Sequence, residues 1–570
     1  MKILLVGINA KYIHSNPAIY SLKAYAEKKA GVEKGIVSVA EYTINTNFDE
    51  ILAGVYKEKP DIAAFSTYIW NAGFVRDIIR EMKKVSPDTQ IWLGGPEVSF
   101  DSETIFERYP ECDIVMLGEG EKSFSELSKI AIDGRIDACD ALDKVDGIAY
   151  KKDGILIVNE PGECLDLSEV PFIYDNLDDF KDRIMYYETS RGCPFKCAYC
   201  LSSVEKSLRF RDINLVKKEL KIFLENDVPQ VKFVDRTFNC NEQRTLDILE
   251  FIKDNDNGVT NFHFEIAGDI LTDKECEILT KLRPGLVQLE IGVQSTNPET
   301  LKAINRVTDA KKLWKNTELL RKAGNMHIHL DLIAGLPYEN LESFKNSFNE
   351  VYSYRPNELQ LGFLKLLYGA PIKECAKEHA MCFRSNPPYE VLKTAYISFD
   401  EMLELKAVEK MLEIYYNSGQ FTETVKECEM HEASAYDFYR NLASFYEEKG
   451  YMKMQSSRAK KYEILLEYVG EMYPEAKDRI RDLLTLDFYA RENAKNRPDF
   501  ASPYAFDDAK NFYADEKRLR DCVGSNANTK SIKHEVRYEK FEHIGNEATE
   551  VILDYRLKNP VTGNVIVRYI

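Results

Sequence analysis

Strand-like apolar runs and helix-like patterns alternate along this chain in two separate stretches, and this doubled alternation restricts the fold more than any other feature. In residues 1 to about 130 the order is KILLVGI, AIYSLKAYAEKKA, DIAAFSTY, FVRDIIREMKKV, QIWLGG and DIVMLGEGE. Short buried runs separated by amphipathic helices suit a parallel sheet, because each parallel crossover needs a helix to bring the chain back. A doubly wound, Rossmann or flavodoxin-like domain is expected over residues 1–135. Its strands end in small residues: Gly7, Ser66 and Thr67, Gly94 and Gly95, Gly118 and Gly120. Open α/β sheets take ligands at the carboxyl ends of their strands, where glycine admits a close approach.

A connector over residues 136–182 carries DGIAYKKDGILIVNE, read as a hairpin turning at Asp153 and Gly154, and then the polar CLDLSEVPFIYDNLDDF. The alternation resumes over residues 183–375. Strands are expected at MYYETS, VKFVD, FHFEIAG, LVQLEIGVQS, HIHLDLIAG and LQLGFLKL, with helices near 213–226, 242–254, 273–282, 309–323 and 341–352. About six strand and helix units are fewer than a closed eightfold barrel needs, so a partial, TIM-like (β/α)6 barrel is expected. Residues 385–570 read as a mostly helical domain, with long stretches such as VLKTAYISFDEMLELKAVEKMLEIYYNSG and KMQSSRAKKYEILLEYVGEMY. KHEVRYEKFEHIG and ATEVILDYRLKNPVTGNVIVRYI alternate at period two and turn at Pro560 to Gly563, which predicts a small terminal sheet.

At 570 residues the chain exceeds one core and needs no disulfide staples. Its 12 cysteines, and a start that reads as a strand and loop rather than a leader, suggest a reducing cytoplasm. No apolar run reaches the length of a membrane span. The net charge of −18 works against long-range attraction to nucleic-acid phosphates or anionic lipid.

Against this background YETSRGCPFKCAYCLSS, residues 187 to 203, places Cys193, Cys197 and Cys200 after a glycine at the end of an expected strand. Thiolates suit zinc or iron-sulfur clusters. A structural zinc site closes with a fourth ligand nearby, yet the next cysteine is Cys240 and the next histidine His263. Three thiolates would instead leave one iron of a cubane cluster open to a substrate or cofactor. A zinc or redox triplet is the competing use. Cys112, Cys139, Cys164, Cys276, Cys375, Cys382, Cys428 and Cys522 read as buried thiols acting as small apolar residues, with Cys240 the spare one to watch. His327, His329 and Asp331 share a strand face and read as core or hydrogen-bonded groups ahead of active-site ones. Glu265 reads equally as a lumen contact or a structural pair.

CPFKCAYC, with Tyr199 before its last cysteine, resembles the CxxxCxxC of radical SAM enzymes, and the whole of residues 1 to about 375 resembles the subgroup with an N-terminal cobalamin-binding domain. The resemblance implies a 4Fe-4S cluster on Cys193, Cys197 and Cys200. Its open iron would chelate S-adenosylmethionine and cleave it to a 5′-deoxyadenosyl radical. VKFVDRTFN looks like the family's second strand and loop, with Asp235 and Asn239 aimed at the barrel mouth. In LEIGVQSTNPETLKAINR, Glu290, Gly292 and Gln294 share one strand face and would point toward adenosylmethionine, with Arg306 pairing its carboxylate. Gly335 and Pro337 in DLIAGLPYE resemble an adenine-contacting turn, although Tyr338, Glu339 and Asn340 replace the GET of the common GLPGET. LGGPEVSF and MLGEGE resemble cobalamin-lining segments. They assign Gly94, Gly95, Pro96, Glu97, Gly118, Glu119 and Gly120, with Ser66 and Thr67, to that cofactor. The cobalamin motif DxHxxG, whose histidine binds cobalt from below, is absent, His14 lacking its neighbours, an absence common in this subgroup, where the lower cobalt face is free or held by water; the lower ligand stays open.

The resemblance implies methyl transfer from cobalamin to an unactivated carbon or phosphorus centre of a small-molecule or peptide substrate. Flavodoxin or ferredoxin would be the electron donor, and nucleic acid and membrane are not expected as partners. The alternatives are a cobalamin-dependent rearrangement or cyclisation without methylation, and a non-catalytic metal or cobalamin-binding module. Methylthiolation of transfer RNA, whose enzymes usually carry a second cysteine set upstream and an RNA-binding tail, fits less well with the acidic balance and the patternless tail. Residues beyond 385 resemble an uncharacterised domain appended to this subgroup.

Overall fold

The first strand, β1 (Ile3–Asn9), is buried along its whole length, as a parallel strand covered on both faces must be. In the computed structural model, which describes residues 1–204, 207–524 and 532–570, β1 pairs in parallel with β2 (Val37–Thr43) and β3 (Ile62–Ser66). The sheet continues in parallel through β4 (Gln90–Gly94) to β5 (Ile114–Met116). Its order is β2-β1-β3-β4-β5, so the chain leaves β1 first to one side and then to the other, which opens a crevice at the carboxyl ends of β1 and β3. The hairpin β6 (Ile148–Lys152) and β7 (Ile155–Val158) adds two antiparallel strands beyond β5. Its turn is at Asp153 and Gly154, both with positive φ, the twist that a two-residue hairpin favours.

The second sheet starts at β8 (Met185–Tyr187). A two-residue ladder of β9 (Ser190–Arg191) with β10 (Arg209–Phe210) brackets the cysteine loop. Then come β11 (Gln230–Phe233), β12 (Asn261–Ile266), β13 (Val287–Gln294), β14 (His327–Ala334) and β15 (Glu358–Phe363). These strands, β9 and β10 aside, form one parallel sheet of order β15-β14-β13-β12-β11-β8, the six-unit open barrel that the alternation predicts. Period two divides each strand: Phe262, Phe264, Leu289, Ile291, Ile328 and Leu330 are buried toward the helices, and His263, Glu265, Glu290, His329 and Asp331 share the opposite, lumen face. The intervening helices begin where a capping side chain accepts from the first turn: Asp212, Asn241, Thr272, Asp309 and Asn340.

Beyond the barrel, β16 (Cys382–Phe383) and β17 (Val391–Lys393) form a short ladder. The stretch read as one helix from residue 391 is therefore a strand at its start. The helix begins at Phe399, where Ser398 and Glu401 form a capping box. Helices Thr422–Glu429, Ala435–Glu448, Arg458–Met472 and Lys477–Arg491 follow. The terminal sheet is antiparallel: β18 (Val536–Phe541), β19 (Thr549–Lys558) and β20 (Val565–Tyr569), with the turn between Asn559 and Gly563. The helical region shares a core with the barrel. Phe348 and Tyr352 of helix Leu341–Ser353 pack on Tyr436 and Tyr439. No helix among the described residues is long and apolar enough to cross a membrane.

Candidate active site

The cysteine loop starts from a fixed base. Asp235, after β11, accepts from the Thr189 backbone N–H at 2.7 Å and the Ser190 hydroxyl at 2.8 Å, pinning the end of β8. Gly192 has φ +87, and a Cβ there would lie 2.2 Å from the Ser207 carbonyl, so the chain can enter the loop only through glycine. Cys193, Cys197 and Cys200 then line one cavity of about 230 Å³ at the carboxyl ends of the barrel strands, together with Tyr199, Glu290, Gln294 and Arg306. The Cys193 thiol lies 3.4 Å from the Thr237 hydroxyl.

Arg306 is the hub of this cavity. Its Nη1 donates to the Tyr199 hydroxyl at 3.2 Å and lies 3.7 Å from the Cys197 sulfur, and its Nη2 donates to the Gly292 carbonyl. The Tyr199 phenol is pushed far up by burial, with Arg306 opposing the shift. Gln294 sits at a bulge of β13 with φ +72, and a Cβ on Gly292 would collide with its amide at 2.2 Å. Gln294 Oε1 and Arg306 Nε are buried in this cavity without a hydrogen-bond partner. Three thiols and unspent polar atoms in one enclosure fit a cluster with a polar ligand beside it. Among the described residues no three His, Cys, Asp or Glu side chains converge as a single metal ion would need.

The lumen beneath is ionised in a fixed pattern. Burial alone would raise Glu290, but the His263 ring at 3.0 Å and the Lys232 ammonium at 3.2 Å outweigh it and hold the carboxyl at about 2. Burial, then the Glu290 charge, push Glu265 up to about 7. His329 lies 2.9 Å from Asp331, and Asp331 and Glu265 both face the cavity. Burial drives His327 down to about 4.

A second cavity, of about 1030 Å³, opens between the carboxyl ends of the first sheet and the barrel mouth. Ser66, Gly94, Gly95, Pro96, Gly118, Glu119 and Gly120 line it from one side, Tyr186, Glu188, Arg191 and Arg236 from the other. Gly95 has φ +107, and a Cβ would lie 2.6 Å from the Thr67 carbonyl, while a Cβ on Gly118 would meet nothing within 4 Å. A glycine-rimmed crevice of this size fits a large flat cofactor. His14 does not line it and instead hydrogen-bonds the Tyr186 hydroxyl at 2.6 Å. The two cavities meet at Arg236, which borders both.

Six expected site residues line neither cavity. Asp235 and Asn239 face inward: the first spends its carboxylate on Thr189 and Ser190, and the second clamps the Ala267 backbone with both amide atoms at 2.9 Å. Glu97 turns away to Arg108 at 2.9 Å and to the Tyr389 hydroxyl. Thr67 is wholly buried, so only its backbone meets the cavity wall at Gly95. Gly335 lies under Val391 and Met402, and Pro337 offers its carbonyl to Thr300. Tyr338 adopts φ +62, the conformation the glycine of GLPGET would supply, Glu339 is buried on Ser295 at 2.6 Å, and Asn340 caps the next helix. Among the spare cysteines, Cys112, Cys276 and Cys428 are buried as expected. Cys164, Cys375 and Cys382 are exposed and Cys522 partly so, because they sit on loops, short edge ladders or helix ends outside the main core. Cys139 lies outside the described side chains.

Sequence reading missed Arg191, Glu188 and Glu121. Arg191 reaches Glu188 at 2.9 Å and also pairs with Glu121 and Glu119, which joins the cysteine loop to the first domain. Arg191 directly precedes the glycine of the loop and Glu121 closes MLGEGE, so opposite charges flanking both glycine-bearing turns were the available signal.

Three family models match successive parts of the chain. The B12 binding domain matches residues 3–128, the radical SAM superfamily residues 187–351, and a protein family of unknown function (DUF4080) residues 377–554. The chain is 26% identical over 405 residues to 2-(S-pantetheinyl)-carbapenam-3-carboxylate methyltransferase of Streptantibioticus cattleyicolor, covering 68% of this chain and 58% of that protein. It is 23% identical to the cobalamin-dependent radical SAM methyltransferase TokK of Streptomyces tokunonensis, with the same coverage. The chain thus spans somewhat over half the length of these relatives. The structure of the cobalamin-dependent radical enzyme OxsB with aqua-cobalamin and S-adenosylmethionine bound superposes with TM-score 0.58 at 17% identity, over 86% of this chain and 78% of that one. TsrM from Kitasatospora setae gives 0.56 at 15%, over 68% and 79%.

Proposed function

For a radical SAM superfamily chain with an N-terminal B12-binding domain and a DUF4080 domain, we propose the activity of a cobalamin-dependent methyltransferase acting on an unactivated centre. The observation that carries this reading is the junction itself: a cavity ringed by three thiols and a glycine-rimmed cavity lie side by side and share Arg236 in their walls. When bound, the cluster would supply the electron that cleaves adenosylmethionine, and cobalamin the methyl group.

The chain's own residues do the rest. Cys193, Cys197 and Cys200 would hold the cluster. Arg306 and Gln294, with their unspent atoms, would orient adenosylmethionine beside it. The glycines after β4 and β5 would hold the corrin edge. The Glu119, Glu121 and Arg191 pairs fix the distance between the two cavities, and with it the alignment of the reacting groups. The walls exclude water from a reactive centre. A flavodoxin or ferredoxin of a reducing cytoplasm suits the electron supply. The methyl-transfer outcome of the two methyltransferase relatives supports methylation over a rearrangement.

The test is anaerobic reconstitution with iron, sulfide and hydroxocobalamin, followed by reductant and adenosylmethionine. The expected products are 5′-deoxyadenosine and, with substrate, S-adenosylhomocysteine in equal amount. Cys197→Ala should bind no cluster and form no 5′-deoxyadenosine; cleavage retained in that variant overturns the reading. Radical formation without S-adenosylhomocysteine selects the rearrangement, and bound cobalamin or zinc without cleavage selects a binding module.

A further inference from the structure

We propose that Arg236 is a substrate-binding residue, and that the substrate presents a carboxylate or phosphonate-type anion to it with an apolar or aromatic part alongside. The proposal rests on the functional reading above. Four arginines line the two cavities. Arg191 is neutralised by Glu121 and Glu188, Arg211 by Glu219, and Arg306 has both terminal nitrogens on Gly292, Tyr199 and Cys197, with only its Nε left for adenosylmethionine. Arg236 alone among them makes no ion pair or side-chain hydrogen bond within the described residues, in a chain of net charge −18.

Its position is held fixed. Asp235 on one side is pinned to Thr189 and Ser190, Thr237 on the other contacts Cys193, and the Phe238 N–H donates to the Glu265 carbonyl at 2.8 Å. A rigid loop thus presents Arg236 at the wall that the two cavities share, so little entropy is lost when it grips a ligand. Its planar fork matches a carboxylate or phosphonate in a bidentate pair. Beside it, Tyr68 lines the larger cavity at the end of β3 and stacks on Trp70 at 4.3 Å, giving a flat apolar wall. Glu265 lines the cluster-side cavity and makes no ion pair with Arg236 among the described residues, although the guanidinium's charge draws its carboxyl down against burial.

The experiment uses the holoenzyme with adenosylmethionine already bound, so that the cofactor's own carboxylate is accounted for. It is titrated calorimetrically with phenylacetate, phenylphosphonate, benzyl alcohol and phenethylamine. The expected result is binding of the two anions only, the tighter of the two separating carboxylate from phosphonate. Arg236→Gln should weaken both at least tenfold and Arg236→Lys should recover part of the loss. Equal binding of benzyl alcohol or phenethylamine overturns the proposal, as does an Arg236→Gln protein that binds the anions like the wild type. Loss of the cobalamin spectrum in Arg236→Gln assigns the residue to the cofactor and also overturns it. Wild-type protein that binds phenylacetate yet forms no 5′-deoxyadenosine removes the radical reading and keeps the anion site; the reverse pattern removes the site and keeps the reading.

Discussion

Two carboxyls directly paired across β12 and β13, Glu265 and Glu290, are held in opposite states by their neighbours. Glu290 has His263 and Lys232, so it stays ionised down to about 2. Glu265 has burial and the Glu290 charge against it, and rises to about 7. For Glu265 the folded value exceeds the unfolded one, so its ionisation works against the fold. The penalty is absent below the ordinary carboxylate range, grows as the pH climbs toward 7, and is complete above it. Glu265→Gln should therefore melt about 2–4 °C higher than the wild type at pH 8 and at nearly the same temperature at pH 4. Thermal melts at the two values check this, and equal melting at pH 8 would mean a solvated, ordinary carboxyl. Arg306 gives a second expectation at this scale. A lysine keeps the charge but cannot reach Tyr199, Cys197 and Gly292 together. Arg306→Lys should keep its iron content and form 5′-deoxyadenosine about tenfold more slowly, roughly 1.4 kcal/mol of barrier, measured by mass on reconstituted protein.

Among elements, the turn after β4 is the most exacting. Gly95→Ala must place a Cβ 2.6 Å from the Thr67 carbonyl at φ +107. The backbone strain alone costs about 1–3 kcal/mol, so a lower melting temperature and loss of bound cobalamin are expected together; a variant that melts and binds normally would show that the turn relaxes freely. Such turns were legible in the sequence because glycine after an apolar run marks them, and the strands were legible because Phe262, Phe264, Leu289 and Ile291 keep period two. The helices expected near 213, 242, 273 and 341 start where Asp212, Asn241, Thr272 and Asn340 cap their first turns. What periodicity cannot give is the direction of a side chain once the strand has ended. Asp235 and Glu97 both lie just past a strand, and tertiary partners, Thr189 for one and Arg108 with Tyr389 for the other, decide where they point. Gly335 is covered by Val391 and Met402, residues more than 50 positions away, which no local pattern announces. The helix expected from residue 391 failed for the same reason. Val391 pairs its backbone with Leu364 after β15, so the segment joins the barrel rim before Ser398 starts the helix.

For the whole molecule the question is what holds the cobalamin side against the cluster side. One tie is the Glu97 carboxylate, shared between Arg108 of its own domain and Tyr389 beyond the barrel. Another is Arg183 on Glu41. The central one is Arg191, whose guanidinium lies between Glu188 at the barrel mouth and Glu121 and Glu119 of the first domain. Burial alone would raise Glu121, but Arg191 overrides it and holds the carboxyl below its usual range. That depressed value sets the sign: the stabilisation is present above the ordinary carboxylate range and is lost as the pH falls through it. Arg191→Met would leave the buried Glu121 and the part-buried Glu119 and Glu188 without the cation they share. Removing one partner of a buried pair costs about 3–5 kcal/mol, so the variant should melt well below the wild type at pH 7, with the gap narrowing toward pH 4 as the carboxyls take up protons. Because the lost contact joins the two domains, bound cobalamin should fall while the three thiols stay in place, and iron should still load on reconstitution. Measuring melting temperature against pH together with cobalt and iron content separates the two possibilities. Joint loss of both metals at pH 7 would mean that Arg191 only supports the barrel, whereas loss of cobalt with iron retained identifies it as the strut that sets the spacing between the two cavities.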